Sequence, residues 1–167
     1  MCGIFMTLNI TSIFLLAVLP VAASSPEKGV AFYLINSGGG TMATYEGELE
    51  NLQVDKVPLF DQREIVSYSK SRQSMILTSE ALEKLRKVSI GRRFVVCVDM
   101  KPIYSGKIWS LLRSASCSDI VLMVPPSNDA SVYLLAGYPT HSYFEGNDQR
   151  LNESIIDSLG AAGKLKE

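Results

Sequence analysis

The chain has 167 residues, with 16 lysines and arginines against 17 aspartates and glutamates, one histidine and a net charge of −1. That balance argues against nucleic acid as a partner, because such binding rests on a basic surface that releases counterions. Hydrophobic residues make up 47% of the chain, enough for a packed core and far from a disordered composition, and the length suits one domain with appendages.

The first element is apolar. Ile4–Ala23 contains no charged residue, and Pro20 and the small residues Ala22, Ala23, Ser24 and Ser25 follow its core. Residues 1–23 are therefore expected to be a secretory signal peptide, with Val21 and Ala23 meeting the small-residue rule for cleavage before Ser24. Met1–Asn9 lacks the usual positive charge. The competing reading is an uncleaved anchor, since about 20 apolar residues span a bilayer, although Asn9, Thr11, Ser12 and Pro20 dilute the run. On either reading the body, residues 24–167, is exported to the periplasm or beyond, and membrane contact is expected only if the segment is retained.

Within the body, Val30–Asn36 reads as a buried strand, and Ser37–Thr41 (SGGGT) as a turn or flexible loop. Glu46, Glu48 and Glu50 alternate, which in a strand places them on one face, expected to be a solvated edge. Glu64–Ser69 and Ser74–Thr78 are two short strands at hairpin spacing. Ser79–Val88 is the clearest helix: Ala81, Leu82, Leu85 and Val88 form one apolar stripe, Ser79 is placed to cap, and Gly91 is a stop signal. Phe94, Val96 and Val98 then alternate with Val95, Cys97 and Asp99, so a strand runs to a break at Met100–Pro102 and returns as Ile103–Ser110. A further strand pair spans "SDIVLMVPP" and "SVYLLAGYP". Asn152–Gly160 closes the chain as a short C-terminal helix with Gly160 as its cap. The expected fold class is α+β: an antiparallel sheet, one main packed helix (Ser79–Val88) and a short terminal helix.

Few residues suggest chemistry. His141, the only histidine, is the one general-base candidate near neutral pH, and with a nearby serine it would make a secreted hydrolase. No G-x-S-x-G elbow accompanies it. Ser37–Gly40 lacks the helix start and the GK[ST] of a phosphate cradle. Metal and other cofactors are not expected, because two mature-chain cysteines and one histidine fall short of a ligand set. In an oxidising compartment Cys97 and Cys117 either pair or serve as small apolar fillers. Tyr104, Trp109 and Arg113 form the candidate partner surface, with aromatic fill as the alternative.

The segment from Pro58 to Ser110 resembles the head of the first periplasmic domain of SecD, the accessory subunit of bacterial protein translocation. The features that carry the resemblance are L-T-x-E-A at Leu77–Ala81, G-R at Gly91–Arg92, an apolar strand ending in V-D at Val98–Asp99, the basic Lys101, and a second strand from Ile103. Met100 stands where that family usually has glycine, and Ser105–Gly106 where it has Ala-Pro. The resemblance implies a SecD-head-like core over about residues 58–125, without catalytic residues. It leads to the expectation of an exported, non-enzymatic envelope protein that binds a protein or peptide. A membrane-anchored structural protein is the remaining alternative.

Overall fold

The computed structural model describes residues 28–36, 49, 52–126 and 129–167. The leader, the glycine-rich Ser37–Thr41 and the alternating Glu46, Glu48 and Glu50 lie outside the described residues. The rest is α+β: nine strands in one sheet and two helices. In chain order the strands are β1 (Val30–Leu34), β2 (Phe60–Asp61), β3 (Ile65–Ser69), β4 (Ser74–Leu77), β5 (Arg93–Val98), β6 (Lys101–Trp109), β7 (Cys117–Met123), β8 (Ser131–Tyr138) and β9 (Leu165–Lys166). The helices are α1 (Ser79–Arg86) and α2 (Glu153–Ala161). The sheet order is β2-β1-β5-β6-β7-β8-β4-β3-β9.

Both helices lie on one face. Ala81, Leu82 and Leu85 of α1 and Ile155 and Leu159 of α2 join Phe32, Phe94, Val96, Tyr104, Ile108, Leu122 and Leu134 in the main core. Fully burying one such leucine or isoleucine contributes about 1.5–3 kcal/mol, which holds helices of eight and nine residues that would not persist alone. Thr78, not Ser79, caps α1: its hydroxyl accepts from the Ala81 N–H. Either hydroxyl satisfies the sequence pattern, and the extended backbone at Thr78 decides which one turns inward. Lys84 ties α1 to the β2–β3 turn through Glu64 at 2.8 Å, and this bond raises the lysine pKa. Asn152 caps α2 by accepting from the Ser154 N–H. Gly160 falls inside α2, and the left-handed residue that follows the helix is Gly163.

The antiparallel expectation holds for six of the eight strand pairs, β1–β2, β1–β5, β3–β4, β4–β8, β5–β6 and β7–β8, and fails for two. The sheet is mixed, because β6 pairs in parallel with β7, and β3 with β9. The β6–β7 connection is the unusual one. Parallel neighbours generally need a crossover of about a dozen residues or more, whereas Ser110–Ser116 supplies seven. Cys117 starts near the level of Tyr104, so the connection must travel back about 16 Å at strand rise. It does so along the face opposite the helices, where the Arg113 guanidinium lies 4.7 Å from the centroid of the Trp109 ring.

The β5–β6 hairpin turns tighter than its sequence suggests. Val98 pairs with Lys101, leaving a two-residue loop of Asp99 (φ 49°) and Met100 (φ 68°). Positive φ at both positions marks a type I′ turn, which matches strand twist and favours glycine second. The return strand thus begins at Lys101, two residues before the expected Ile103. Gly106, at the centre of the sheet, pairs with Phe94 on one side and Ile120 on the other. A Cβ there would meet the Ile120 carbonyl oxygen and come within 2.7 Å of the Phe94 ring.

Gly106→Ala is therefore expected to destabilise the fold by about 1–3 kcal/mol, the usual cost of overpacking, read as a lower denaturation midpoint. Met100→Gly removes a left-handed non-glycine residue at the loss of the Tyr33 hydroxyl contact to Met100 Sδ (3.2 Å). A net gain of about 0.5–1 kcal/mol is expected, checked in the same titration.

Candidate partner-binding groove

Where β1 begins, the β5–β6 turn, the β2–β3 turn and α2 leave an open groove of about 670 Å³ between them. One wall is Lys28, Gly29, Gln62, Val98, Asp99, Lys101 and Ile103; the other is Ser154, Asp157, Ser158, Ala161 and Ala162 of α2 and its end. The α2 wall follows from sequence spacing. Residues 154, 157, 158 and 161 fall at i, i+3, i+4 and i+7, so they share one stripe beside the buried Ile155 and Leu159.

Hydrogen bonds fix the floor. The Gly29 N–H donates to Asp99 Oδ1 at 2.7 Å, while the Asp99 N–H donates to the Gly29 carbonyl at 3.1 Å. Asp99 is thereby committed to the backbone of β1's approach rather than to Lys101. Gln62 Oε1 accepts from both the Val30 N–H (3.0 Å) and the Ser158 hydroxyl (2.8 Å), joining sheet to helix. Gly29 is left-handed (φ 111°), and the Gln62 side chain occupies the space a Cβ would need. Lys28 and Lys101 supply exposed positive charge and Asp157 negative charge across the groove. Small side chains, charges of both signs and open length suit an extended polar chain better than an enclosed small molecule.

The residues singled out from sequence do not converge here. Tyr104 is 5% exposed in the helix-side core, its hydroxyl pKa pushed well above its usual value by burial. Trp109 and Arg113 lie on the opposite face, so the three form no common surface. Tyr104 and Trp109 are five residues apart on one strand, and an odd separation sends side chains to opposite faces. Trp109 is itself 4% exposed, packed with Cys117, Val121, Met123 and Tyr138. Among the described residues its indole N–H has no hydrogen-bond partner.

Cys97 and Cys117 are both free and buried. They sit on β5 and β7 with β6 between them, about 9–10 Å apart at ordinary strand spacing, beyond the roughly 7 Å that a disulfide spans. The pairing does not form, and the filler reading describes both. Burial pushes the Cys97 thiol up to about 11. The Cys117 thiol, also raised chiefly by burial, donates to Asp119, which Lys107 holds at 2.6 Å.

His141 sits exposed on a 3-10 turn (His141–Tyr143), its ring 5.8 Å from that of Phe144. The adjacent Ser142 hydroxyl is bonded to Thr140, and among the described residues no serine hydroxyl or carboxylate hydrogen-bonds the imidazole. One partly buried polar cluster was not visible in the sequence. Tyr68, pushed up to about 12 chiefly by burial, donates to Gln73 Oε1 (3.0 Å) or the Arg150 carbonyl (3.3 Å). Arg150 donates to the Leu134 carbonyl at 2.8 Å and grips Asp148, whose carboxyl it holds below the usual range. This cluster fastens the approach to α2. Comparisons with protein-family models, curated proteins and solved structures found no match for this chain.

The thiol environment predicts a pH dependence. Below about pH 9 the Cys97 thiol is protonated in both folded and unfolded chains, and its contribution to stability is complete. Between pH 9 and 11 the unfolded chain releases the proton while the folded chain retains it. Stability therefore falls with rising pH, by about 1.4 kcal/mol per unit for this group. Cys97→Ala is expected to flatten that slope between pH 9 and 11 in denaturant titrations, and the native thiols are expected to resist labelling at pH 8 until the chain unfolds.

Proposed function

We propose that this chain is an exported, non-enzymatic envelope protein whose body is a SecD-head-like α+β unit, and that it binds a protein or peptide partner. The groove between the β5–β6 turn and α2 is the observation that carries this reading. Its floor is fixed by Gly29–Asp99 and Gln62–Ser158 hydrogen bonds, its α2 wall is mostly small side chains, and its walls oppose Lys28 and Lys101 to Asp157. An extended peptide can lie along such a wall, exchanging backbone hydrogen bonds with polar side chains while the opposed charges set direction. The hairpin that forms one wall and the helix that packs behind its sheet are the elements in which the sequence resembles SecD.

Site-specific cross-linking tests this. A photo-reactive residue at exposed Ala162, in the groove, is expected to capture an envelope protein. The same residue at exposed Glu83 on α1 is expected to capture about tenfold less of it. Ala161→Arg, which fills the groove from an exposed position, is expected to remove the Ala162 adduct. Equal capture from both positions, or an adduct indifferent to Ala161→Arg, counts against the reading.

A further inference from the structure

At the end of the sheet where β5 begins and β6 ends, two loops meet. One is the α1–β5 connection, Lys87–Arg92; the other is the start of the β6–β7 connection. Arg113 joins them, donating to the Ile90 carbonyl at 3.4 Å while its guanidinium covers the Trp109 ring. A tight turn precedes it: the Arg113 N–H donates to the Ser110 carbonyl and the Leu112 N–H to the Ser110 hydroxyl. That turn pushes two apolar side chains into water. Leu112 is 95% exposed and Leu111 66%, with Ile90 at 37% on the neighbouring loop. Exposed leucines scattered singly are ordinary, but two adjacent ones presented by a hydrogen-bonded turn beside a third apolar residue form a patch.

The charge around this patch has one sign. Lys87, Arg92, Arg93 and Arg113 belong to the two segments 87–93 and 110–116, which contain no aspartate or glutamate. The acids closest in chain are Asp119, which Lys107 neutralises at 2.6 Å, Glu83, one turn back on α1, and Asp99, whose Oδ1 accepts the Gly29 N–H; Asp129, near Arg86, has its Oδ1 engaged by the Ser131 N–H. Arg86, on α1, donates to the carbonyls of Pro126 and Asp129 and adds to the positive side. A net charge of −1 for the whole chain makes this local excess a feature of one end rather than of composition.

We infer that this end of the molecule, Leu111 and Leu112 on one loop with Arg113, and Lys87 and Arg92 on the loop that Arg113 joins, docks on an anionic lipid surface, the leucines entering the headgroup–acyl boundary and the cations meeting lipid phosphates. Apolar tips and a cationic rim are the two attractions that bring a peripheral protein to a bilayer. Each cation near an anionic surface strengthens binding about fivefold at moderate salt. Neutral lipid offers only the first attraction, and an acidic protein partner would need no acyl region. The binding expected is weak, reversible and salt-sensitive. It requires neither a retained leader nor the groove.

The test places a reporter at the tip. The full chain carrying Leu112→Trp is mixed with phosphatidylcholine vesicles, with or without about a third phosphatidylglycerol, the acyl chains brominated in a parallel set. With anionic vesicles the added tryptophan is expected to shift to the blue and to be quenched by bromine, and 0.5 M salt is expected to reverse both. With neutral vesicles, where an apolar leader alone can hold the chain, the tip is expected to stay in water. Lys87→Glu in the same background is expected to weaken the anionic response by more than fivefold. Leu111→Asp/Leu112→Asp, two exposed positions that leave the core intact, is expected to lower anionic-vesicle binding without changing thermal stability. Equal responses on neutral and anionic vesicles, no blue shift on either, or indifference to Lys87→Glu overturns the inference, and the last two outcomes with capture of a soluble acidic protein at residue 112 assign the tip to a protein partner instead.

Discussion

The absence of a side chain at Gly106 holds the centre of this fold together. Three strands meet there: β5 brings Phe94, β7 brings the Ile120 carbonyl, and β6 must pass between them with nothing but backbone. The Phe94 ring then spreads over β6 and packs with Phe32 and Tyr104, linking β1, β5 and β6 in one aromatic run. β7 approaches this closely from the far side and pairs with β6 in parallel, which makes the hairpins β5–β6 and β7–β8 one continuous sheet. Both helices are placed by that sheet, since neither is long enough to persist without the apolar face it covers.

The parallel join sets the two ends of the molecule apart. At one end, the short connection from β6 to β7 leaves no room for a helix, so it is drawn across the outer face, with Arg113 laid over Trp109 and Leu111 and Leu112 turned to solvent. At the other end, the tight Asp99–Met100 turn brings a carboxylate to the Gly29 N–H and, with α2, forms the walls of the groove. The apolar, cationic tip and the polar groove are thus at opposite ends of β6. A protein docked on lipid by the first would hold the second away from the surface, open to a partner.

Several parts of this were legible in the chain. Alternation in Phe94–Val98 named the right faces, the stripe Ala81, Leu82 and Leu85 named the buried side of α1, and all three hairpins were present, the β5–β6 turn falling at Asp99–Met100 rather than Met100–Pro102. Other parts are also written in the chain. The separation of Tyr104 from Trp109 is odd, which already puts them on opposite faces of a strand, and Ser154, Asp157, Ser158 and Ala161 already mark a second helical stripe. The choice of Thr78 over Ser79 as cap was not legible, since both carry a hydroxyl and only the backbone angle distinguishes them.

What the sequence determined by itself is local: which segments are extended or helical, where turns fall, and which side of each element is apolar. Those follow from periods of 2 and 3.6 and from turn chemistry within a few residues. Which strands become neighbours, and in which direction, was decided only in the tertiary structure. That choice separated Cys97 from Cys117 by the width of β6, sank Tyr104 into the core, and assembled the groove from residues as distant in chain as Gly29, Gln62, Asp99 and Ser158. Pairing across a sheet depends on how well whole faces pack and on whether a position such as Gly106 can let two neighbours close in, and no pattern within a single strand encodes that.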